Sequence, residues 1–241
     1  MLVPWPLGRK HALNILMPST NNPIQAEEFI QGEEHTMETV RINGKTVWQS
    51  STYYLPGPLT VIENPWIQYC VLLPKEILPP HAKKFSEQNS AALEALKMDT
   101  GLSHMEWFQQ KNGRQLISEV GARPPGVNIM PMMGIAHDVN MWEKWAELMV
   151  HEQWKMPERK YAVASVFLRA QGRGAKIHRI KGVEEIKQQF SSFLLAGSLP
   201  KIGQQRSSHY EGDGWLILKH ENTQTLVQAL RKVLTTIRIE A

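Results

Sequence analysis

Two Asn-Gly pairs, Asn43-Gly44 and Asn112-Gly113, constrain the fold of this chain more than any other feature. Each pair lies between runs rich in β-branched and aromatic residues, and Asn-Gly at a tight turn is the strongest short-range signal for a β-hairpin. The first hairpin is expected within residues 32–54, and the second is expected to have arms at 103–110 and 114–120. Two such hairpins predict an antiparallel sheet.

Helical periodicity follows in two places. Residues 82–98 repeat apolar side chains at helical spacing, and Gly101 is a stop signal soon afterwards. The apolar residues expected on the common face are Phe85, Ala92, Leu93 and Leu96. Asp138 is expected to be the N-cap of a second helix. The apolar stripe of that helix, interpreted as core, consists of Trp142, Trp145, Leu148 and Met149.

The remaining pattern predicts an α+β fold. Residues 56–80 are rich in proline and are expected to form loop and edge at the surface. After Pro157 strand and helix patterns alternate to the end of the chain. We therefore predict three parts: an irregular remnant of an upstream region at 1–23, one unit at 24–157 and a small α+β unit at 158–241.

Composition excludes several classes of protein. The chain has 241 residues, 42% of them hydrophobic and 21% charged, which is typical of a globular protein. The net charge of +4 comes from basic residues scattered among acids, so nucleic-acid binding is not expected. The single cysteine, Cys70, excludes an internal disulfide, and a reducing, cytoplasmic setting is expected. No apolar run approaches a membrane span, so no membrane association is expected.

Two acids of the second hairpin suggest chemistry. Antiparallel pairing about Asn112-Gly113 places Glu106 opposite approximately Glu119, and directly opposed Cβ atoms lie about 4.5 to 5.5 Å apart. Two carboxylates at such a short distance repel each other unless a cation or a proton lies between them. Mg²⁺, which binds one or two carboxylates, would suit the pair. Pairing of each acid with a surface Lys or Arg is an equally open alternative.

Arg123 stands in "GARPPG", where Pro and Gly neighbours restrict the backbone. Its planar guanidinium suits bidentate capture of phosphate or carboxylate, although it could also cap a helix or pair with an acid. Upstream, the segment 24–30 is a short strand candidate. It opens an acidic cluster, "EEFIQGEEH", and a strand end that meets adenine, followed by an acid near the ribose, would have this order.

Taken together, three segments resemble the ATP-grasp superfamily, in its carboxylate-amine ligase and biotin-carboxylase-like branch. They are "EEFIQGEEHT", "GLSHMEWF" and "LISEVGARPPG". The resemblance implies that adenine is contacted through backbone atoms of four residues, which are Glu27, Glu28, Phe29 and Ile30. It also implies that Glu34 holds the ribose, that Glu106 and Glu119 bind Mg²⁺, and that Arg123 faces the acyl phosphate or the substrate carboxylate.

The resemblance implies ATP and Mg²⁺ as cofactors and a small carboxylate and an amine as substrates. The reaction would activate the carboxylate as an acyl phosphate and then form an amide bond. The resemblance covers approximately residues 22–241 but only the carboxy-terminal part of a complete enzyme, because no Gly-rich lid precedes Glu27. Weak or absent turnover of the chain alone is therefore expected. The alternative is a non-catalytic interaction module, as a homodimer or with a complementing amino-terminal chain.

Overall fold

The computed structural model describes residues 28–241. Within this range the chain forms eleven strands and six helices, and the predicted α+β class is confirmed. In chain order they are β1 (Glu33–Ile42), β2 (Lys45–Leu55), α1 (Pro58–Glu63), β3 (Tyr69–Leu73), α2 (Pro80–Ala95), β4 (Gly101–Gln109), β5 (Gln115–Gly121), α3 (Ile129–His137), α4 (Met141–His151), β6 (Ala162–Leu168), β7 (Ala170–Gln171), β8 (Arg179–Lys181), α5 (Val183–Phe190), β9 (Leu194–Ser198), β10 (Gly214–His220), α6 (Thr223–Thr236) and β11 (Arg238–Glu240).

Eight of the strands form one sheet in the order β5-β4-β1-β2-β3-β6-β10-β9. Every neighbouring pair in this sheet is antiparallel. A second, three-stranded sheet has the order β7-β11-β8, in which β11 is parallel to β7 and antiparallel to β8. The large sheet is the scaffold on which the side chains discussed below are arranged.

Both predicted hairpins are present. In the first, Ile42 pairs with Lys45, and Asn43 and Gly44 have φ angles of 51° and 73°. Positive φ at both central residues matches the turn in which Asn-Gly is favoured. The second hairpin joins β4 to β5 through a longer loop around Gly113, whose φ is 82°. The predicted arms are thus confirmed to within a residue or two.

The large sheet buries both of its faces. One face is covered by α3 and α4, and the other is covered by α2 and α6. Strand β6 shows why, because its seven residues are all buried and alternate between the two cores. Val163 and Phe167 face α3, whereas Val166 and Leu168 face α6. Alternation of side chains across a strand produces this three-layer arrangement.

The predictions for two segments, one predicted as a strand and one as a loop, are wrong. Residues 28–30, the described part of the strand candidate 24–30, have no strand structure, because the neighbouring β4 ends opposite Glu33 and offers them no partner. Residues 56–80 contain α1 and the central strand β3, and all five residues of β3 are buried. The prolines on either side of "YCVLL" concealed a strand that pairs with β2 and β6.

The predictions for the central helices are also partly wrong. Asp138 is the left-handed C-cap of α3, a helix that the sequence did not predict. The N-cap of α4 is Asn140, whose side chain accepts hydrogen bonds from two backbone N–H groups of the first turn. Of the stripe interpreted as core, Leu148 is buried but Trp142 and Met149 are half exposed. The helix contacts the sheet with a narrower face than its apolar pattern suggested.

The helix predicted at 82–98 is present as α2, with Phe85 and Leu93 buried. Leu96 is exposed, because the helix ends at Ala95 and the chain turns away from the sheet. In the carboxy-terminal third, strands and helices follow one another to β11, in line with the pattern after Pro157. No helix within residues 28–241 has the length and the apolar character that would let it cross a membrane.

The predicted boundary at 157/158 falls between α4 and β6. Directly after it, β6 pairs with β3, so that Tyr69 lies opposite Phe167 and Leu73 lies opposite Val163. Residues from both predicted units therefore share the large sheet. The division into 24–157 and 158–241 stays a prediction, and the predicted remnant 1–23 lies outside the described residues.

Candidate functional site

A cavity of about 720 Å³ opens where β1, β4, α1 and the loop after β5 meet. Most of the site residues predicted from the sequence line it, although they come from three separate parts of the chain. They are Glu28, Phe29, Ile30, Glu34, Glu106 and Arg123. Glu119 is not among the lining residues but contacts one of them, as described below. Glu27 lies outside the described residues.

The register of the sheet brings the carboxylates to one face. Glu106 of β4 pairs with Glu119 of β5 on one side and with Thr36 of β1 on the other. The predicted opposition of Glu106 and Glu119 is thus confirmed. Glu34 lies two residues before Thr36, so it projects from the same face of β1. Three carboxylates therefore converge at the end of the strand pair.

The pKa of Glu34 is raised to about 7. Burial is the largest cause, and the negative charges of Glu106 and Glu119 add to it. Glu34, Glu106 and Glu119 thus concentrate more negative charge than Arg123 alone offsets. A bound cation would relieve this repulsion. The closely spaced carboxylates are therefore suitable ligands for a metal ion.

Arg123 lies in the loop between β5 and α3. Its Nη2 is 3.7 Å from Oε1 of Glu119, and its Nη1 donates to the carbonyl oxygen of Pro124 at 3.2 Å. The ion pair is exposed on both sides, so it stabilises the fold little. A Cβ built on Gly121 would lie 3.2 Å from Nε of Arg123, so the glycine leaves room for the arginine to lie back over β5.

Glu38 and His104 are site residues that the sequence interpretation missed. They are direct partners on β1 and β4, and both are buried. Nδ1 of His104 lies 2.9 Å from Oε1 of Glu38, and its Nε2 lies 3.5 Å from Oε1 of Glu106. The strand period was the available signal, because Glu38 stands four residues after Glu34 and so shares its face.

The pKa of His104 is raised to about 9. Burial acts in the opposite direction, but hydrogen bonds to Glu106 and Glu38, together with their charges, outweigh it. His104 therefore carries a proton on each ring nitrogen at neutral pH. Glu38, His104 and Glu106 form a chain of charged contacts, one hydrogen bond and one ion pair, that leads from the interior to the cavity.

The other side of the cavity is apolar. It is formed by α1, by the loop before α3 and by tyrosines from β2 and the loop before β10, and its members are Tyr54, Pro58, Leu59, Ile62, Val127 and Tyr210. Ligand pockets commonly combine an apolar wall with a few polar groups that fix orientation. The cavity can therefore accommodate a ligand with one flat or apolar part and one charged part.

Within residues 28–241, no group of three or more His, Cys, Asp or Glu side chains has the geometry of a complete metal site. Mg²⁺ does not require one, because it usually takes one or two carboxylates and completes its shell with water and phosphate oxygens. The opposed pair Glu106 and Glu119 meets that requirement. The donor set suits Mg²⁺ better than a metal that prefers nitrogen or sulfur ligands.

Comparison with known proteins gives no match to a protein-family model and none to a curated protein sequence. Among solved structures, L-amino acid ligase from Bacillus licheniformis is similar, with a TM-score of 0.69 and 19% identity over 88% of this chain and 52% of that chain. Phosphoribosylglycinamide synthetase from Anaerococcus prevotii has a TM-score of 0.65 and 11% identity over 88% and 54%.

A third similar structure is the biotin carboxylase domain of 2-oxoglutarate carboxylase from Hydrogenobacter thermophilus, in complex with MgADP and bicarbonate. Its TM-score is 0.50, with 12% identity over 86% of this chain and 46% of that chain. The chain thus spans about half the length of these neighbours. The likeness shows that the described residues have an ATP-grasp fold, as the sequence motifs predicted.

Proposed function

We propose that this chain supplies the nucleotide- and Mg²⁺-binding part of an ATP-dependent carboxylate-amine ligase. The observation that carries the proposal is the single cavity that joins Glu34, Glu106 and Arg123, with Glu119 paired to Glu106 beside it. The similar solved structures support it, since two are named as a ligase and a synthetase and the third contains MgADP.

Residues 27–30 and Glu34 bind the nucleoside. Backbone atoms of Glu27, Glu28, Phe29 and Ile30 contact adenine, and of these the described residues 28–30 are available for this role because they are not part of the sheet. Glu34 then accepts a hydrogen bond from a ribose hydroxyl. The apolar wall formed by α1 packs against the base and excludes water from it.

The opposed acids hold the metal. Glu106 and Glu119 each provide a carboxylate oxygen to Mg²⁺, which when bound neutralises charge on the phosphate oxygens of ATP. Arg123 presents its guanidinium to the acyl phosphate or to the substrate carboxylate. Its contact with Glu119 at 3.7 Å keeps it beside the phosphates without occupying all of its five donors.

The reaction that this arrangement supports has two steps. A carboxylate oxygen of the substrate attacks the γ-phosphorus of ATP, the bond to the β-phosphate oxygen breaks, and ADP and an acyl phosphate result. The nitrogen of the amine then attacks the acyl carbon, phosphate leaves, and the nitrogen loses a proton. In both steps Arg123 offsets negative charge that develops on the transferring group.

Calorimetry of MgATP binding to the full chain tests the proposal. Glu106→Ala and Glu119→Ala should each weaken binding tenfold or more, which is about 1.4 kcal/mol. Arg123→Ala should retain most of the ATP affinity but lose affinity for a carboxylate substrate. Glu94→Ala, which removes an exposed carboxylate on α2, is the matched control. Unchanged affinity in both acid variants would exclude the metal assignment.

A second candidate function is a subunit that a partner completes. Phe29 and Ile62 line the cavity and are 43% and 57% exposed, an apolar margin that suits a covering surface. A homodimer or a complementing chain would cover it, and the chain alone would then turn over weakly or not at all. Robust ADP release by a chain that light scattering shows to be monomeric would contradict this candidate.

A further inference from the structure

Glu38 is the most deeply buried carboxylate of the site face. Its side chain is fully enclosed in the middle of β1. One oxygen, Oε1, accepts the hydrogen bond from Nδ1 of His104, and Oε2 has no partner within the described residues. A buried carboxylate with a single hydrogen-bond donor does not favour folding, because the loss of hydration exceeds what one partner returns.

Arg159, a second buried cation, does not explain Glu38 either. Arg159 is buried and feels the charge of Glu38, but its donors bind elsewhere. Nε donates to His137, Nη1 donates to the carbonyl oxygen of Pro74, and Nη2 donates to Oγ of Ser50. The direct contact of Glu38 is therefore with His104, and its role must be sought there.

His104 connects Glu38 to the site, because its two ring nitrogens contact Glu38 and Glu106. An imidazole ring is rigid, so fixing Nδ1 against Glu38 also fixes the position of Nε2 on the opposite side of the ring. Nε2 lies 3.5 Å from Oε1 of Glu106. Groups behind a metal-binding side chain set its orientation, and they affect metal affinity although they never touch the metal.

We propose that Glu38 is a positioning residue that, through His104, holds the Glu106 carboxylate in the orientation that faces Glu119. The inference rests on the proposed function, in which Glu106 binds Mg²⁺. It adds that the site includes a residue of β1 that contacts neither nucleotide nor metal. The buried carboxylate of Glu38 fixes the His104 ring, and the ring fixes the carboxylate of Glu106, which binds the metal.

Glu38→Met tests the proposal, because methionine fills a similar volume and offers no oxygen to His104. The variant should bind Mn²⁺, in the presence of ATP, about tenfold more weakly than the original chain, as measured by electron paramagnetic resonance. Its thermal stability should be lower, because the buried Nδ1 of His104 loses its acceptor, and the Mn²⁺ measurement is therefore made on the folded protein. Glu38→Gln keeps an acceptor oxygen and should recover most of the Mn²⁺ affinity.

A matched control lies on the opposite face of the same strand. Thr39 is buried, and its Oγ1 accepts a hydrogen bond from Nδ2 of Asn89 at 2.8 Å. Thr39→Val should lower stability but leave Mn²⁺ affinity unchanged. Loss of Mn²⁺ affinity in this control as well would mean that general loosening of β1 accounts for the effect, and would overturn the proposal.

A double-variant cycle decides the matter even if Glu38→Met folds poorly. His104→Leu should lose as much Mn²⁺ affinity as Glu38→Met, and the double variant Glu38→Met/His104→Leu, in which neither buried charge is left without its partner, should lose no more than His104→Leu alone, since the two residues act through one path. Independent, additive losses would overturn the proposal.

Glu106→Ala separates the two levels of inference. If this variant loses Mn²⁺ binding while Glu38→Met binds Mn²⁺ as tightly as the original chain, the positioning role is wrong and the proposed function stands. If Glu106→Ala itself binds Mn²⁺ normally, the proposed function is wrong, and the positioning role falls with it.

Discussion

The two faces of the β1–β4 strand pair differ in chemistry although they alternate residue by residue. One face packs under α2 with sulfur and aromatic groups, contributed by His35, Met37, Met105 and Trp107. The other face carries polar groups, contributed by Glu34, Thr36, Glu38, His104 and Glu106. Because the side-chain period of a strand is two, one strand pair can support folding with one face and binding with the other.

A histidine on each face makes the difference measurable. Burial, together with the charge of His81, lowers the pKa of His35 to about 4. The carboxylates beside His104 raise its pKa to about 9 despite burial. Both rings are almost fully buried, so exposure does not distinguish them. The charge of the neighbouring side chains decides which form of the ring is stable.

The largest expected effect concerns the apolar face. Phe85 is fully buried and stacks on Trp107 with ring centroids 4.2 Å apart. Phe85→Ala should lower the free energy of unfolding by about 3 to 5 kcal/mol, because it removes buried area and leaves a cavity. Urea denaturation measures the loss. MgATP affinity of the folded protein should be unchanged, and a parallel loss of affinity would show that the two faces are not independent.

A smaller effect is expected from the hydroxyl pair on the polar face. Oγ1 of Thr36 and Oγ1 of Thr52 form a buried hydrogen bond between β1 and β2. Thr36→Val should cost about 1 to 3 kcal/mol, because the other hydroxyl loses its partner. The double variant Thr36→Val/Thr52→Val should recover most of that loss. Additive losses in urea denaturation would show that the hydroxyls act separately.

A further effect is the pH dependence of stability, which the two histidines shape in opposite directions. The folded pKa of His35 lies below the ordinary value of 6.5, so stability should be lost as the pH falls from 6.5 to about 4. The folded pKa of His104 lies above 6.5, so its contribution is complete below 6.5 and is lost as the pH rises through about 9.

Histidine NMR titration of the metal-free protein checks the two pKa values individually, and thermal unfolding across the same pH range checks their sum. His35 should remain neutral at pH 5, and His104 should remain protonated at pH 8. His35→Phe should reduce the acid-side slope only. Two rings that both titrate near 6.5 would remove the contrast between the faces.

Local signals predicted the hairpins and the acid pair. Asn43-Gly44 and Asn112-Gly113 indicated which strands pair, and the opposition of Glu106 and Glu119 was predicted from that, but the register next to the second turn pairs Trp107 with Ile117, and only a register shift between Glu106 and Trp107 brings Glu106 opposite Glu119. A hairpin turn limits which residues can pair, and the consequence extends along both arms. The metal role of the acids and the roles of the other site residues stay predictions.

Elements that depend on tertiary context could not be predicted. Helix α3 has Gly134, which is unfavourable in a helix interior, and burial of its methionines against the sheet stabilises it. A carbonyl oxygen would lie 2.6 Å from a Cβ on Gly134, so the glycine permits close approach of the following chain. The partner of Glu38 is likewise a cross-strand contact, 66 residues distant.

The pairing of β3 with β6 has a consequence for the exchange of segments between related proteins. If segments of two related proteins were joined at the predicted boundary near 157, β3 and β6 would come from different proteins. Their hydrogen-bond pairing and their packing on both faces of the sheet would then have to match across the junction. Strand β3 would then need a foreign partner that matches its five buried residues. A segment exchange should therefore transfer the whole large sheet. Its end points should lie in loops that do not separate a strand from its hydrogen-bonded partner.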